Sequence, residues 1–274
     1  MICYTNEIRL DNGQIYSLDM IRLNLVFMDK VQEFVTWLSR IGITADNLDI
    51  VHWLSVREFS YRNMFRIITN EYSFAMAIGF NGNSESKNNG WIEFNPNKCK
   101  GEFFDKFIMM LKDYTSTRKV SRYDLAIDIP IPRYLVRIHK DQRNYQYIKS
   151  QSSETEYLGR RNNVGFVKLY DKKAESELDY DLTRLEITCE LGNINFPTVK
   201  ILPLQEKFEF GQISTTDKVL IRLLKEVDNP VMFLQGLKYE KRKKIEPYLC
   251  ESTVQLDGNA YSKILKQVIS YQYL

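Results

Sequence analysis

The chain has 274 residues, 44% hydrophobic and 13% aromatic, and a net charge of only +3. That composition supports a packed core and excludes a disordered or low-complexity chain. No apolar run reaches the roughly 18 residues of a membrane span, and the overall charge is too small to name a polyanionic partner by itself.

The opening residues, "MICYTNEIRL", lack the basic start and apolar stretch of a secretory signal. The four cysteines, Cys3, Cys99, Cys189 and Cys250, stand far apart with no CxxC pair. Free thiols in a cytoplasmic protein without membrane contact are the expectation. His52 and His139 are the only histidines and are widely separated, so a metal site would rely on other ligands.

"EIRLDNGQIYSLDMIRLNLVF" predicts two strands around a turn at Asn12-Gly13, with Ile21, Leu23 and Leu25 on one face of the second. "DKVQEFVTWLSRIG" has helical spacing, with Asp29 as N-cap and Gly42 as stop. Several strands follow between Val51 and Phe80, among them "MFRIITN" and "YSFAMAIGF", and then a polar loop over Asn81–Gly90. "WIEFNPNKCKGEFFDKFIMMLKDY" predicts strand, break and helix, the helix turning Phe103, Phe104, Phe107, Ile108 and Leu111 to one side.

Three later segments alternate with period two. In "VSRYDLAIDIP", Tyr123, Leu125, Ile127 and Ile129 oppose Asp124, Ala126 and Asp128. In "GFVKLYDKKAE", Val167 and Leu169 oppose Phe166, Lys168 and Tyr170. In "LTRLEITCEL", Leu185, Ile187, Cys189 and Leu191 oppose Arg184, Glu186, Thr188 and Glu190. Helical patterns dominate from Thr215. The fold class is therefore α+β: an antiparallel-rich sheet domain with flanking helices over 1–200, and a smaller, mainly helical C-terminal domain over 201–274.

A sheet commonly wets one face, so the polar residues of these strands can be plain alternation. Their composition points further. Acids, cations and a phenol share the face, and Glu93 joins it from the side of Trp91. Clustered carboxylates repel unless they share a proton or a cation, and hard divalent ions take oxygen ligands. A metal held by Asp and Glu polarises a phosphate, and a tyrosinate beside it can attack phosphorus. Tyr170 is either that nucleophile or a packing residue with a wet tip. As a nucleophile it needs neighbouring cations to ionise, and Lys168 and Lys172 are close in sequence.

The order and spacing of "WIEFNPNK", "SRYDLAIDIP", "EYLGRRNNVGFVKLYDKKAE" and "LTRLEITCEL" resemble the Rep_trans family of replication initiation factors. That family comprises rolling-circle plasmid initiators of Gram-positive bacteria and related conjugative-element relaxases. The resemblance spans residues 15–192 and implies that 1–200 is a DNA-nicking domain. Tyr170 falls on the family's nicking tyrosine, with Lys168, Lys172 and Arg184 as its catalytic neighbours. The R-x-D-L-A-x-D motif matches Arg122, Asp124 and Asp128, and the R-x-E-I motif matches Arg184 and Glu186. The implied ligands of a Mg²⁺ or Mn²⁺ ion are Asp124, Glu186, Asp128 and Glu93, with Asp19 a weaker candidate. The acidic run "ESELDYDL" departs from the family, whose members carry basic residues after the tyrosine motif.

Residues 118–173 hold 13 Lys and Arg against 6 Asp and Glu, a local basic excess suited to phosphate. Arg160 and Arg161 of "GRRNN" and the five cations of "LKYEKRKK", Lys238, Lys241, Arg242, Lys243 and Lys244, are candidate DNA contacts. Each stretch is equally a turn or a solvated helix end. The implied function is rolling-circle initiation by site-specific strand nicking and joining through a covalent 5′-phosphotyrosine. The alternatives are a conjugative relaxase with the same chemistry and an origin-binding regulator that does not cut. Origin DNA, both as duplex and as a single-stranded nick site, and a host helicase are the expected partners, with a homodimer as the expected assembly.

Overall fold

A computed structural model describes residues 7–28, 48–53, 63–69, 72–80, 89–97, 102–150, 153–192, 195–201, 214–224, 227, 230–245 and 252–272. The helix expected over 29–42 lies outside the described residues, as do Cys3, Cys99 and Cys250. Strands β1 (Glu7–Arg9) and β2 (Ile15–Phe27) form the first hairpin. Gly13 takes φ +81° in its turn, the left-handed region where a side chain is strained. Strands β3 (Leu48–Trp53), β4 (Asn63–Thr69), β5 (Tyr72–Phe80) and β6 (Asn89–Phe94) follow, so β6 takes up the last residues of the expected 81–90 loop.

Helix α1 (Glu102–Tyr114) leads directly into the long strand β7 (Thr115–Ile129). Next come β8 (Val136–Ile138), β9 (Tyr145–Lys149), β10 (Glu154–Leu158), β11 (Val167–Asp171), the short helix α2 (Lys172–Ser176) and β12 (Thr183–Cys189). One 11-stranded sheet runs β3-β4-β5-β6-β2-β7-β12-β11-β10-β9, with β1 on β2, and all its described pairings are antiparallel. The architecture is thus the expected α+β class with an antiparallel-rich sheet.

The core lies on one face of this sheet. Leu125, Ile127, Val167, Leu169, Leu185 and Ile187 are almost wholly buried there. Phe107, Ile108 and Leu111 of α1 cover part of that face. A second, three-stranded sheet, β8 with β13 (Val199–Ile201) and β14 (Ser252–Thr253), adds Val136, Ile138, Val199 and Val254 to the same core. Cys189 is a free, buried thiol of this face.

Helices α3 (Thr215–Leu223), α4 (Pro230–Gly236) and α5 (Tyr239–Ile245) share a small core of Ile221, Leu224, Leu234 and Ile245. The final helix α6 (Gly258–Ser270) does not join them. Its Ala260, Ile264 and Val268, with Tyr271, pack into the main core beneath β2 and β7. Among the described residues, α3–α5 thus share a core apart from the sheet, while α6 belongs to the core of the sheet. Among the described residues, no helix is long and apolar enough to cross a membrane.

Candidate active site

The polar face of the sheet opposes the core, and antiparallel register sets which side chains meet on it. Tyr170 on β11 pairs with Arg184 on β12, which pairs with Asp128 on β7. One step along, Lys168 pairs with Glu186 and Glu186 with Ala126. Two residues are the strand period, so these rows share one face. Ala126 is the smallest side chain among them and is fully buried.

The Tyr170 hydroxyl donates to Glu186 Oε1 at 2.6 Å. Lys168 Nζ sits 3.6 Å above the centre of the tyrosine ring and 3.8 Å from Glu186 Oε2. Lys172 is farther, 6.0 Å from the ring, and pairs with Glu175 at 2.5 Å. The lysines therefore flank the ring rather than the hydroxyl. Burial, then the Glu186 charge and hydrogen bond, push the Tyr170 hydroxyl far above the ordinary phenol range. The expectation that the two lysines ease its ionisation is corrected: the nearest partner of the hydroxyl is an anion. That arrangement is a hydroxyl held against a base. Burial also raises the pKa of Glu186; the charge of Lys168 opposes the shift, and Asp19 adds to it.

Asp19 arrives by an irregularity. Strand β2 loses register with β7 between Leu18 and Met20, leaving Asp19 unmatched in the bulge. A bulge adds one residue and re-aims a side chain. Here Asp19 lies 3.7 Å from the Arg184 guanidinium and accepts from Asn95 Nδ2 at 3.2 Å. Asn97 Nδ2 donates to the Leu18 carbonyl at 2.8 Å, satisfying a backbone group beside the bulge. The two asparagines of "NPN" hold the bulge, and sequence reading passed over both. Their signal was present: paired amides around a proline, directly after an alternating strand.

The four expected ligands divide. Asp128 is clamped by Arg184, Nε to Oδ1 at 2.5 Å and Nη2 to Oδ2 at 2.7 Å. Glu93 is held by Arg22 at 2.6 Å and Arg122 at 3.3 Å. Guanidinium groups thus occupy both acids. Asp124 differs: its Oδ1 is buried without a hydrogen-bond partner. Burial lifts its carboxyl to about 6, with Arg122 and Thr188 pulling down and Glu93 and Asp19 pushing up. Among the described residues, no group of three or more His, Cys, Asp and Glu side chains is drawn together as a formed metal site. The donors left are nevertheless all carboxylate oxygens, one of them orphaned. Asp19, Asp124 and Glu186 are of the class that a hard divalent ion takes.

Two open cavities meet at Lys168 and Glu186. The smaller, about 510 Å³, includes Asp19, Tyr170, Lys172 and Arg184. The larger, about 740 Å³, includes Asp124, Tyr157, Arg160, Arg161 and Phe166. Arg160 and Arg161 are therefore brought to the site. Lys238, Lys241, Arg242, Lys243 and Lys244 belong to α5 and the residue before it. Lys241 pairs with the buried Asp217 of α3 at 2.5 Å. That contact joins two helices, whereas Lys238, Lys243 and Lys244 are exposed.

No family model matches the chain and no curated protein matches it. Among solved structures it is similar to a rolling circle replication initiator protein from Geobacillus stearothermophilus. That likeness has 13% identity and a TM-score of 0.39, covering 96% of this chain and 98% of that one.

The Asp124 carboxyl gives a pH signature. Its folded pKa of about 6 lies above its ordinary value of 3.8, so the folded state holds the proton more tightly. The associated stability is present below pH 3.8 and is lost as pH rises to about 6. Urea unfolding should therefore find Asp124→Asn more stable than the native chain at neutral pH, by up to about 3 kcal/mol. The gap should close toward pH 4; a gap independent of pH would show that Asp124 is not a strained carboxylate.

Proposed function

We propose that this chain nicks one DNA strand at a replication origin and starts rolling-circle replication, with Tyr170 as nucleophile. The observation that carries the reading is the 2.6 Å hydrogen bond from the Tyr170 hydroxyl to Glu186, at a cleft bordered by lysines. The resemblance of the surrounding motifs to replication initiators supports the choice of DNA over other phosphodiesters.

In the reaction, Glu186 takes the hydroxyl proton as the phenolic oxygen bonds to phosphorus. The bond from phosphorus to the 3′ oxygen breaks, and that oxygen leaves with its electron pair and gains a proton from water. The 5′-phosphate stays on Tyr170, and the free 3′-OH primes synthesis. Attack by a 3′-OH on the phosphotyrosine reverses the exchange and joins the strand. Arg184, held by both Asp128 oxygens, offers a pre-positioned guanidinium to a phosphate oxygen. Lys168 and Lys172 add positive charge at the cleft, where the phosphate carries its negative charge.

A divalent cation, Mg²⁺ or Mn²⁺, belongs to the proposal. Asp19 and Asp124, the acids that proton transfer does not use and that no guanidinium hydrogen-bonds, would be the residues to hold it, since no three such side chains form a site among the described residues. When bound it supplies positive charge to the phosphate oxygens. Lys238, Arg242, Lys243 and Lys244 would meet origin duplex, and a host helicase would then open it from the nick. No second reading is favoured by a particular observation.

Two outcomes are expected. With Glu186 as the base, the nicking rate should rise with pH through a pKa above the usual carboxylate value of about 4.3, because burial raises it. Glu186→Gln should remove that limb and slow nicking of supercoiled origin DNA about 100- to 10,000-fold. An unchanged limb in the variant would assign the base elsewhere. Calorimetric titration with Mn²⁺ tests the ligands apart from activity. Asp19→Asn should weaken binding strongly, while Asp128→Asn, already engaged by Arg184, should weaken it little. The reverse order would return the metal to Asp128.

A further inference from the structure

The larger cavity has a feature that the nicking chemistry does not use. Tyr157 on β10 and Phe166, just before β11, stack with ring centres 5.8 Å apart and planes inclined by 17°. Both are half-buried, and neither belongs to the hydrophobic core cluster. They stand on the polar face, where the neighbouring side chains are Lys168, Glu186, Thr188 and Asp124. Two parallel rings among charges, at the wall of a 740 Å³ cavity, have no packing task that the core would assign them.

Cations border the rings. Arg160 and Arg161 are exposed on the turn that joins β10 to β11, and both line the cavity. The turn is pinned: Gly159 N donates to the Asn144 carbonyl at 2.8 Å, and Arg143 Nη1 to the Gly165 carbonyl at 2.8 Å. Gly159 takes φ +93°, and a Cβ there would lie 3.3 Å from the Gly165 carbonyl oxygen, so the turn closes tightly. The register places this platform beside the nucleophile. Tyr157 pairs with Lys168, and Lys168 is two residues, about 7 Å, along the strand from Tyr170.

Flat rings beside a basic turn are how sequence-tolerant proteins hold unpaired nucleotides: bases stack on the rings while phosphates meet the cations. We propose that this cavity binds single-stranded nucleic acid adjoining the cleaved phosphate, with a base on the Tyr157–Phe166 platform and phosphates toward Arg160 and Arg161. The proposal rests on the reading of Tyr170 as the nicking tyrosine, since it places the bound strand relative to that residue. It adds the residues that would hold the unpaired strand, which a duplex could not use because a base within it has no free face to offer the rings.

The test uses fluorescence anisotropy with labelled oligothymidylate about twelve nucleotides long, within the span that one such groove covers, and a duplex of equal length. Tyr157→Leu should weaken single-strand binding about 5- to 150-fold with an unchanged salt dependence. Tyr157→Trp should retain binding. Arg160→Ala with Arg161→Ala should flatten the dependence of log affinity on log salt by about 1.4. Duplex affinity should not respond to Tyr157. Phe166→Leu replaces Tyr157→Leu should the latter lose its fold, as checked by circular dichroism. A folded leucine variant that binds as the native chain does, or an equal loss for duplex, overturns the platform. Tyr170→Phe should leave oligonucleotide affinity intact, which separates the two readings. A native chain that fails to nick, or a Tyr170→Phe variant that nicks normally, with the Tyr157 dependence preserved, would refute only the role of Tyr170. Normal nicking with no Tyr157 dependence would refute only the platform.

Discussion

Everything at the candidate site depends on the register of three strands. β11, β12 and β7 align so that Tyr170, Arg184 and Asp128 form one row and Lys168, Glu186 and Ala126 the next. A slip of one residue would send Tyr170 into the core and Leu169 into water. The opposite face prevents it. Val167, Leu169, Leu185, Ile187, Leu125 and Ile127 are buried there, each contributing about 1.5–3 kcal/mol. The apolar face thus fixes the chemistry of the polar one.

Charge on that polar face is arranged in two classes. Asp128 and Glu93 are neutralised by guanidinium groups at hydrogen-bond distance. Asp19, Asp124 and Glu186 are less fully compensated, and the carboxyls of Asp124 and Glu186 are raised by burial. A raised carboxyl is costly to ionise and correspondingly eager for a proton or a cation. On the proposed reading, Glu186 meets that need with the Tyr170 proton, and Asp124 meets it with a divalent ion.

Period-two alternation made the two faces of β7, β11 and β12 legible, and with them the meeting of Tyr170, Glu186 and Arg184. The Asn12-Gly13 turn was legible for the same reason: its signal is local. Facts set by distant contacts were hidden. Nothing in "SLDMIRL" announces that Asp19 sits in a bulge, because the bulge exists only against β7 and the two asparagines that brace it. The separation of acids into clamped and unclamped likewise depends on which arginine reaches which carboxylate. Helix α6 reads as one more tail helix, yet its Ile264 and Val268 complete the core of a sheet begun at the opposite end of the chain. Lys241 reads as one of five cations, and only the fold reveals Asp217 beside it.

The central claim is that one phenolic oxygen becomes the attachment point of a DNA strand. Its most direct measurement is mass spectrometry of the protein after incubation with supercoiled origin DNA and Mg²⁺, followed by nuclease and protease digestion. The account predicts a nucleotide-bearing peptide from "GFVKLYDKKAE" with the added mass on Tyr170, absent from Tyr170→Phe. A nicked product with no protein adduct, or an adduct on another residue such as Tyr157, would contradict it.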